Sequence, residues 1–412
     1  MKKKVFIVGN SLSAVVLAQK LSKQCEVYIT SYSDLWKDFA ECVDIRETNS
    51  AELLDFVMEN GIDMTIVTSQ LAIKNDIANL FLNNKQAIFA PTALASSIAT
   101  DKVKAKKTLY KLRIQTPKFG IFDKQNMAND YLKNQKTPFV IKTNEIASSV
   151  IITSAQTAKN IVDSVFIDKN KKIIIEDYVY GTPFSFYAIT DGYKALPIGS
   201  SIIYKHSLDG DGGQLTEGMG ACSPNYRLSL EQEYFIMDNV IYPTIEYLES
   251  ENVPYLGIIG VNGIISNDGV ISILGWLPFL QDCDAASVLE IIDENLYKLF
   301  DSCILGSFSD EVESITLKDA YAVSLVLKNK NKTNIENVIT GIENLEEDTL
   351  FCLYPTVKKN KYLEYEAETG NVATLTCVAN SVARASEKVY SEANEINFNG
   401  IFYRKDICRP YK

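Results

Sequence analysis

Histidine is almost missing from this chain: His206 is the only one in 412 residues. A Ser/His/Asp arrangement would have to be built around it, and no second histidine exists to share a metal with it. Positive charge is also short. Lys and Arg number 41 against 52 Asp and Glu, a net charge of −11. That balance speaks against DNA or RNA as the main partner, because binding a phosphate backbone needs clustered cations. A local basic pocket for a phosphorylated small molecule stays open. The eight cysteines (25, 42, 222, 283, 303, 352, 377 and 408) are scattered and form no C-x-x-C pair. This excludes a disulfide scaffold and a zinc site of ordinary spacing, and predicts a reducing, cytoplasmic setting. No long hydrophobic run of about 18 residues suggests a membrane span. The opening "MKKKVFIVGN" is basic, but its apolar stretch is too short for a signal peptide.

What is present is an ordinary globular mixture, 46% hydrophobic and 23% charged. Its length allows two or three domains. Residues 4–9, "KVFIVG", read as a strand, and "SLSAVVLAQKLSK" after it has helical spacing. "EVYIT" (26–30) is a second strand, and "SAELLDFVMENG" (50–61) a helix closed by Gly61. "IDMTIVT" (62–68), "IKNDIANLFLNN" and "QAIFAP" then read as strand, helix and strand. Such alternation predicts a parallel sheet covered on both faces. "TDKVKAKKTLYKLRI" (100–114) reads as a basic bridging helix. Beyond Thr116 strands multiply, as in "PFVIK", "KKIIIEDYV" and "SFYAIT". "LEQEYFIMDNVIYPTIEYLES" (230–250) is helical with an interruption near Pro243, and "NDG" (267–269) marks a hairpin between two strands. "VLEIIDENLYKLF" (288–300) reads as one amphipathic helix, and "SVARASEKVYSEANEI" as another. The fold class is therefore α/β followed by α+β.

Several stretches carry chemistry. The turn Gly9-Asn10-Ser11-Leu12-Ser13-Ala14 keeps one glycine of a dinucleotide fingerprint, and the next strand ends in Thr30 rather than an acid. A plain βα turn is the better reading. Lys142 ends a buried strand and its charge needs an anion; Lys102 opens the bridging helix. The loop "TNEIASS" after Lys142 would cover a phosphate, although it holds no glycine. "IIIEDYV" (173–179) suits either a plain strand or a hinge whose backbone meets a purine edge. The most specific segment is "YKHSLDGDGGQLTEGMGACSP" (204–224), with glycines at 210, 212, 213, 218 and 220 among acids and hydroxyls. So costly a pattern predicts a ligand loop rather than a linker.

Taken in order, these segments resemble the glycinamide ribonucleotide synthetase (phosphoribosylamine–glycine ligase) family of ATP-grasp enzymes. The segments carrying the resemblance are "NGIDMTIVTSQLAI", the linker "IFAPTALASSIATDKVKAKKTLYKLRIQTPKF", "TPFVIK", "IIIEDYVYG", the loop "KHSLDGDGGQLTEGMGACSP" and the terminal "GIFYRKDI" (400–407). The resemblance implies an N-terminal open parallel α/β domain (1–98), a central ATP-grasp domain (99–315, lid about 116–180) and a small C-terminal α+β domain (316–412). It implies an ATP-dependent ligation of glycine to phosphoribosylamine through an acyl phosphate, in purine synthesis. ATP would be bound by Lys102, Lys142, Glu176, Asp177, Tyr178 and Val179. The small-molecule substrates would be bound by Lys205, Asp209, Asp211, Gly213, Thr216, Gly218, Gly220 and Ser223. A monomer without nucleic-acid or membrane partners is expected.

The family also implies Mg2+, held by Glu-x-Asn on one face of a strand. Those positions are Gly275 and Leu277 here, with Trp276 between, so no metal ligand is expected from them. Asn262 is the single substitute. An adjacent arginine position is Phe279, Asp282 is kept, and a ribose-binding acid falls at Thr182 or Pro183. Two other readings follow: a non-catalytic relative that binds a phosphorylated metabolite or partner through 205–224, and a divergent amine–carboxylate ligase.

Overall fold

The computed structural model describes residues 2–32, 34–144, 149–168, 171–331 and 337–409. The chain divides into two compact units: residues 1–96, 184–260 and 278–412 form the first, and 97–183 with 261–277 the second.

The first unit begins with a parallel sheet in the order Glu41–Val43, Glu26–Thr30, Lys4–Val8, Met64–Val67, Ile88–Phe89. Its strands are near-continuous apolar runs because helices cover them. Phe6, Val8, Leu53, Val57, Ile73 and Phe81 meet in one core under the sheet. The order changes direction between Lys4–Val8 and Met64–Val67, so their carboxyl ends flank the switch point where open α/β sheets hold ligands.

The predicted helix at 73–84 is two helices, Gln70–Lys74 and Ile77–Asn83. Asp76 breaks them apart with a left-handed φ of 59°, and its side chain does not cap the second helix; its carboxylate instead accepts the amide of Ala93. The predicted helix at 288–300 is also two, Asp282–Ile291 and Leu296–Leu305. Ile292 turns extended and bridges to Leu317, and Asn295 caps the second helix by accepting the amide of Lys298. The bridging helix expected at 100–114 is one helix, Lys102–Lys111, capped by Asp101, and a separate helix, Ala93–Thr100, precedes it. At 230–250 the helix is not cut. A π-turn, Met237–Ile241, precedes Tyr242–Ser250, where Pro243 falls in the first turn and needs no amide partner.

The second sheet of the first unit is antiparallel. It orders Leu256–Ile265 (whose later half belongs to the other unit), Thr182–Asp191, Ala195–Ile203, Gly220–Ser223, Tyr321–Asn329, Gly370–Ala379 and Leu350–Leu353. Helix Val382–Glu395 covers it with Ala385, Val389 and Ala393 buried.

The second unit holds a four-stranded sheet in the order Phe119–Phe122, Ile173–Asp177, Phe139–Lys142, Val150–Ile152. Phe139, Ile141, Ile152, Val162, Ile173 and Ile175 form its core. The expected hairpin is present, with Gly269 at φ 82° and the amide of Ser266 donating to the carbonyl of Val270.

Candidate functional site

Two constellations bring together residues that the sequence marked. The first lies in the second unit. Antiparallel pairing sets Val140 against Glu176 and Lys142 against Ile174. The Glu176 side chain enters the space beneath helix Lys102–Lys111 and carries two lysines. Oε1 pairs with Lys142 Nζ, and Oε2 lies 2.7 Å from Lys106 Nζ, which also donates to Thr116 Oγ1 at 2.7 Å. Side-chain exposures are 1% for Lys106, 2% for Glu176 and 9% for Lys142, so this is a buried ionic triad carrying one surplus positive charge. Burial pushes Lys106 down to about 8; the attraction of Glu176 opposes that shift and the charge of Lys142 adds to it.

Lys102 is placed apart from the triad. Its ammonium donates to the carbonyl of Thr143, and its amide to Asn144 Oδ1, both at 2.8 Å. Asp177 accepts from Gln135 Nε2 at 2.7 Å, and its amide donates to the carbonyl of Lys118. Tyr178 packs edge-on against Tyr180, and Val179 is half-buried beside it. Residues 145–148 of the loop after Lys142 lie outside the described residues. Lys106 was not singled out in the sequence. The available signal was its place on the same helix face as Lys102, one turn on, among Val103 and Leu109.

The expected metal strand, Ile271–Leu277, offers little to a cation. Gly275 and Leu277 share a face, and a Cβ built on Gly275 would lie 3.7 Å from Asn262 Oδ1. That neutral amide oxygen is the one atom among the described residues that the added Cβ would meet within 4 Å. Among the described residues no three His, Cys, Asp or Glu side chains gather in a way that could hold a metal. These residues do not fit a protein-held Mg2+, which requires hard oxygen ligands.

The second constellation is the glycine loop, within the first unit. His206–Leu208 and Gly212–Leu215 pair as a small hairpin around Asp209–Asp211. Gly213 has φ 76°, and a Cβ there would sit 2.4 Å from Ser207 Oγ. Gly218 is pressed onto the first turn of helix Asp282–Ile291: its Cβ would lie 2.4 Å from Cys283 Sγ. Gly220 and Ser223 belong to the buried strand Gly220–Ser223, and the Ser223 hydroxyl donates to the carbonyl of Ser200. Thr216 donates to the carbonyl of Lys205 and accepts the amide of Gly218.

The two loop acids are tied to the carboxyl end of the chain. Arg404, with a side chain 1% exposed, donates to Asp211 Oδ1 at 2.9 Å and to both oxygens of Asp406 at 2.8 and 2.7 Å. Its Nη1 also donates to the carbonyl of His206 at 3.1 Å. Asp209 accepts the amide of Lys405, and Asp406 the amide of Gly210. The "GIFYRKDI" segment thus latches the loop, a role legible only in three dimensions. His206 itself is half-exposed, with Nδ1 3.5 Å from the carbonyl oxygen of Gly213. Arg404→Ala is expected to destabilise the chain by about 2–3 kcal/mol, because it removes the buried guanidinium that pairs with Asp211 and Asp406. The same variant should open 204–224 to protease. Urea midpoints and limited proteolysis measure both effects.

Beneath the loop, Asp284 is wholly buried and accepts from Tyr187 Oη at 2.5 Å and from the Ser201 hydroxyl. Burial pushes its carboxyl above the ordinary range, opposed by those hydroxyls and by the charge of Lys205. A raised folded-state value means that this group's stabilising contribution is full below its unfolded value of about 3.9. The contribution is lost as pH climbs from there through the folded value. Asp284→Asn cannot ionise, so its melting temperature should gain on the unaltered chain as pH rises. A constant difference across a buffer series would sink that expectation.

A first unit with an open parallel sheet and an antiparallel sheet, and a second unit with a lysine-bearing four-stranded sheet, are the parts of an ATP-grasp protein. Two consecutive family models match: the phosphoribosylglycinamide synthetase N domain at residues 3–99 and its ATP-grasp (A) domain at 100–282. The chain belongs to the phosphoribosylglycinamide synthetase family. It is 26% identical over 424 residues to a phosphoribosylamine–glycine ligase of Caldanaerobacter subterraneus, covering 99% of this chain and 100% of that one. A ligase of the same name from Clostridium acetobutylicum is 28% identical over 380 residues, 89% of each chain. Among solved structures, the phosphoribosylamine–glycine ligase of Thermotoga maritima superposes with TM-score 0.82 at 19% identity, over 98% of this chain and 100% of that one. A biotin carboxylase of Campylobacter jejuni shares the fold at TM-score 0.72 and 13% identity, over 97% and 93%.

Proposed function

We propose that this chain is a phosphoribosylamine–glycine ligase working in the cytosol. ATP transfers its terminal phosphoryl group to the carboxylate of glycine, releasing ADP. The amine of phosphoribosylamine attacks the acyl carbon, and phosphate leaves. The observation that carries the reading is the full-length match to ligases of that name, which spans the glycine loop and its latch as well as the nucleotide-side unit. The triad of Lys106, Glu176 and Lys142 supports it physically. One surplus buried positive charge is what an anionic phosphate chain would neutralise. Lys102, Asp177, Tyr178 and Val179 are assigned to the same nucleotide. Lys205, Asp209, Asp211, Gly213, Thr216, Gly218, Gly220 and Ser223 are assigned to shaping the substrate loop.

The identity of residues 275 and 277 favours a second reading, a relative that binds these ligands and turns over slowly. A coupled assay separates the two. ADP release that requires glycine and phosphoribosylamine together supports the ligase. Calorimetric binding of ATP with no release above background supports the binder. In either case Lys142→Ala is expected to weaken ATP about tenfold to a hundredfold, the value of a charge-assisted phosphate contact.

A further inference from the structure

Lys328 stands out in the first unit. It is the penultimate residue of the strand Tyr321–Asn329, which runs antiparallel to the end of the glycine loop: Gly220 pairs with Leu325, and the amide of Val326 donates to the carbonyl of Met219. Beyond Val326 the neighbour on that edge changes, and Lys328 pairs with Phe402 of the strand Ile401–Phe402. Gly218 is in contact with Cys283, in the first turn of helix Asp282–Ile291. Lys328 is half-buried, and among the described residues its ammonium makes no hydrogen bond or ion pair, with Glu217 or any other group. Burial depresses its basicity, and the nearby Cys283 and Glu217 act in the opposite sense. A lysine held part-way out of water without a counter-ion is a cost that a bound anion would relieve.

The other anion-binding feature of this region is already taken. Helix Leu12–Ser22 points its first amides toward Asp282, whose carboxylate accepts the amide of Ser13 at 3.0 Å. A phosphate arriving there would meet a fixed negative charge. No lysine, arginine or histidine stands in Gly9–Val15, so the strand ends supply hydroxyl and amide groups but no cation. Two of these are buried with no hydrogen-bond partner among the described residues, Asn10 Oδ1 and Thr68 Oγ1, and Thr68 is only 8% exposed. They suit the hydroxyls of a sugar better than a phosphate.

We propose that Lys328 holds the phosphate of the sugar-phosphate substrate, making it the residue by which this chain distinguishes a phosphorylated from an unphosphorylated sugar. The proposal rests on the ligase reading only in taking one substrate to be a pentose phosphate. Titration calorimetry on the full chain with ribose 5-phosphate, ribose and glycine tests it. The unaltered chain should bind ribose 5-phosphate more tightly than ribose. Lys328→Met should weaken ribose 5-phosphate about tenfold to a hundredfold, with ribose and glycine unchanged. Lys328→Arg should recover most of the loss, which a purely structural lysine would not require. Should Lys328→Met melt early, the arginine variant and Lys328→Gln carry the comparison. Equal affinity for ribose 5-phosphate in the unaltered chain and in Lys328→Met overturns the proposal while leaving the ligase reading standing. An unaltered chain that does not distinguish ribose 5-phosphate from ribose overturns both.

Discussion

Glu176→Ala should lower stability by about 3–5 kcal/mol, the usual consequence of stripping a buried ion pair of one partner. The change leaves Lys106 and Lys142 facing each other with side chains 1% and 9% exposed and no anion between them. Glu176→Gln, which keeps an acceptor oxygen but not the charge, should fall between. The pH response gives a second readout. Lys106 is held at about 8 in the folded chain, against about 10.4 when unfolded. Between those values the unfolded state binds more protons, so stability contributed through Lys106 rises with pH across that window and is lost as pH falls through 8. Lys106→Met should flatten that rise and cost little at neutral pH, because Glu176 keeps Lys142 as its partner. Urea midpoints at pH 7 and pH 9.5 decide the matter. If Glu176→Ala proves as stable as the unaltered chain, the triad is not the electrostatic centre of the second unit.

The largest gain of function is expected from Gly275→Glu combined with Leu277→Asn. The two positions share a strand face, Gly275 has no left-handed φ, and the nearest atom to its added Cβ is Asn262 Oδ1 at 3.7 Å. The backbone therefore accepts side chains that place two oxygens beside Asn262, a set suited to Mg2+. Each ~1.4 kcal/mol of transition-state stabilisation is tenfold in rate, and a metal supplies several. ADP formation by the double variant should gain a saturable Mg2+ dependence and rise at least about tenfold. Calorimetry of Mg2+ with ADP on both proteins reports the new site without any turnover. A double variant that binds ADP but shows no Mg2+ response would mean that this strand is not where a divalent cation belongs.

The strands of the parallel sheet were legible because each is a short β-branched run closed by polar residues, as in "KVFIV" and "EVYIT". Helix breaks were not. Leu289, Ile291, Leu296, Leu299 and Phe300 keep a helical period through 288–300 because both helices bury apolar residues, so the period survives the interruption at Ile292. The break at Asp76 was hidden for a similar reason. An aspartate in a left-handed conformation looks, in one dimension, like any polar residue on a solvated helix face.

The site shows the same division. Lys142 was visible as a charge at the end of an apolar strand, and Glu176 as an acid closing another, yet nothing local says that they meet or that Lys106 joins them. Arg404 lies 193 residues from Asp211, and no periodicity spans that distance.

By itself the sequence determined the alternation of strands with helical stretches, the family of the chain and the lack of metal-ligating side chains at 275 and 277, since these are properties of neighbouring residues. Only the tertiary structure decided which charges are buried together, what latches the glycine loop and that Lys328 is half-buried with no ion pair among the described residues. Desolvation and pairing depend on what the fold brings within a few ångströms, and the chain's linear order does not carry that information.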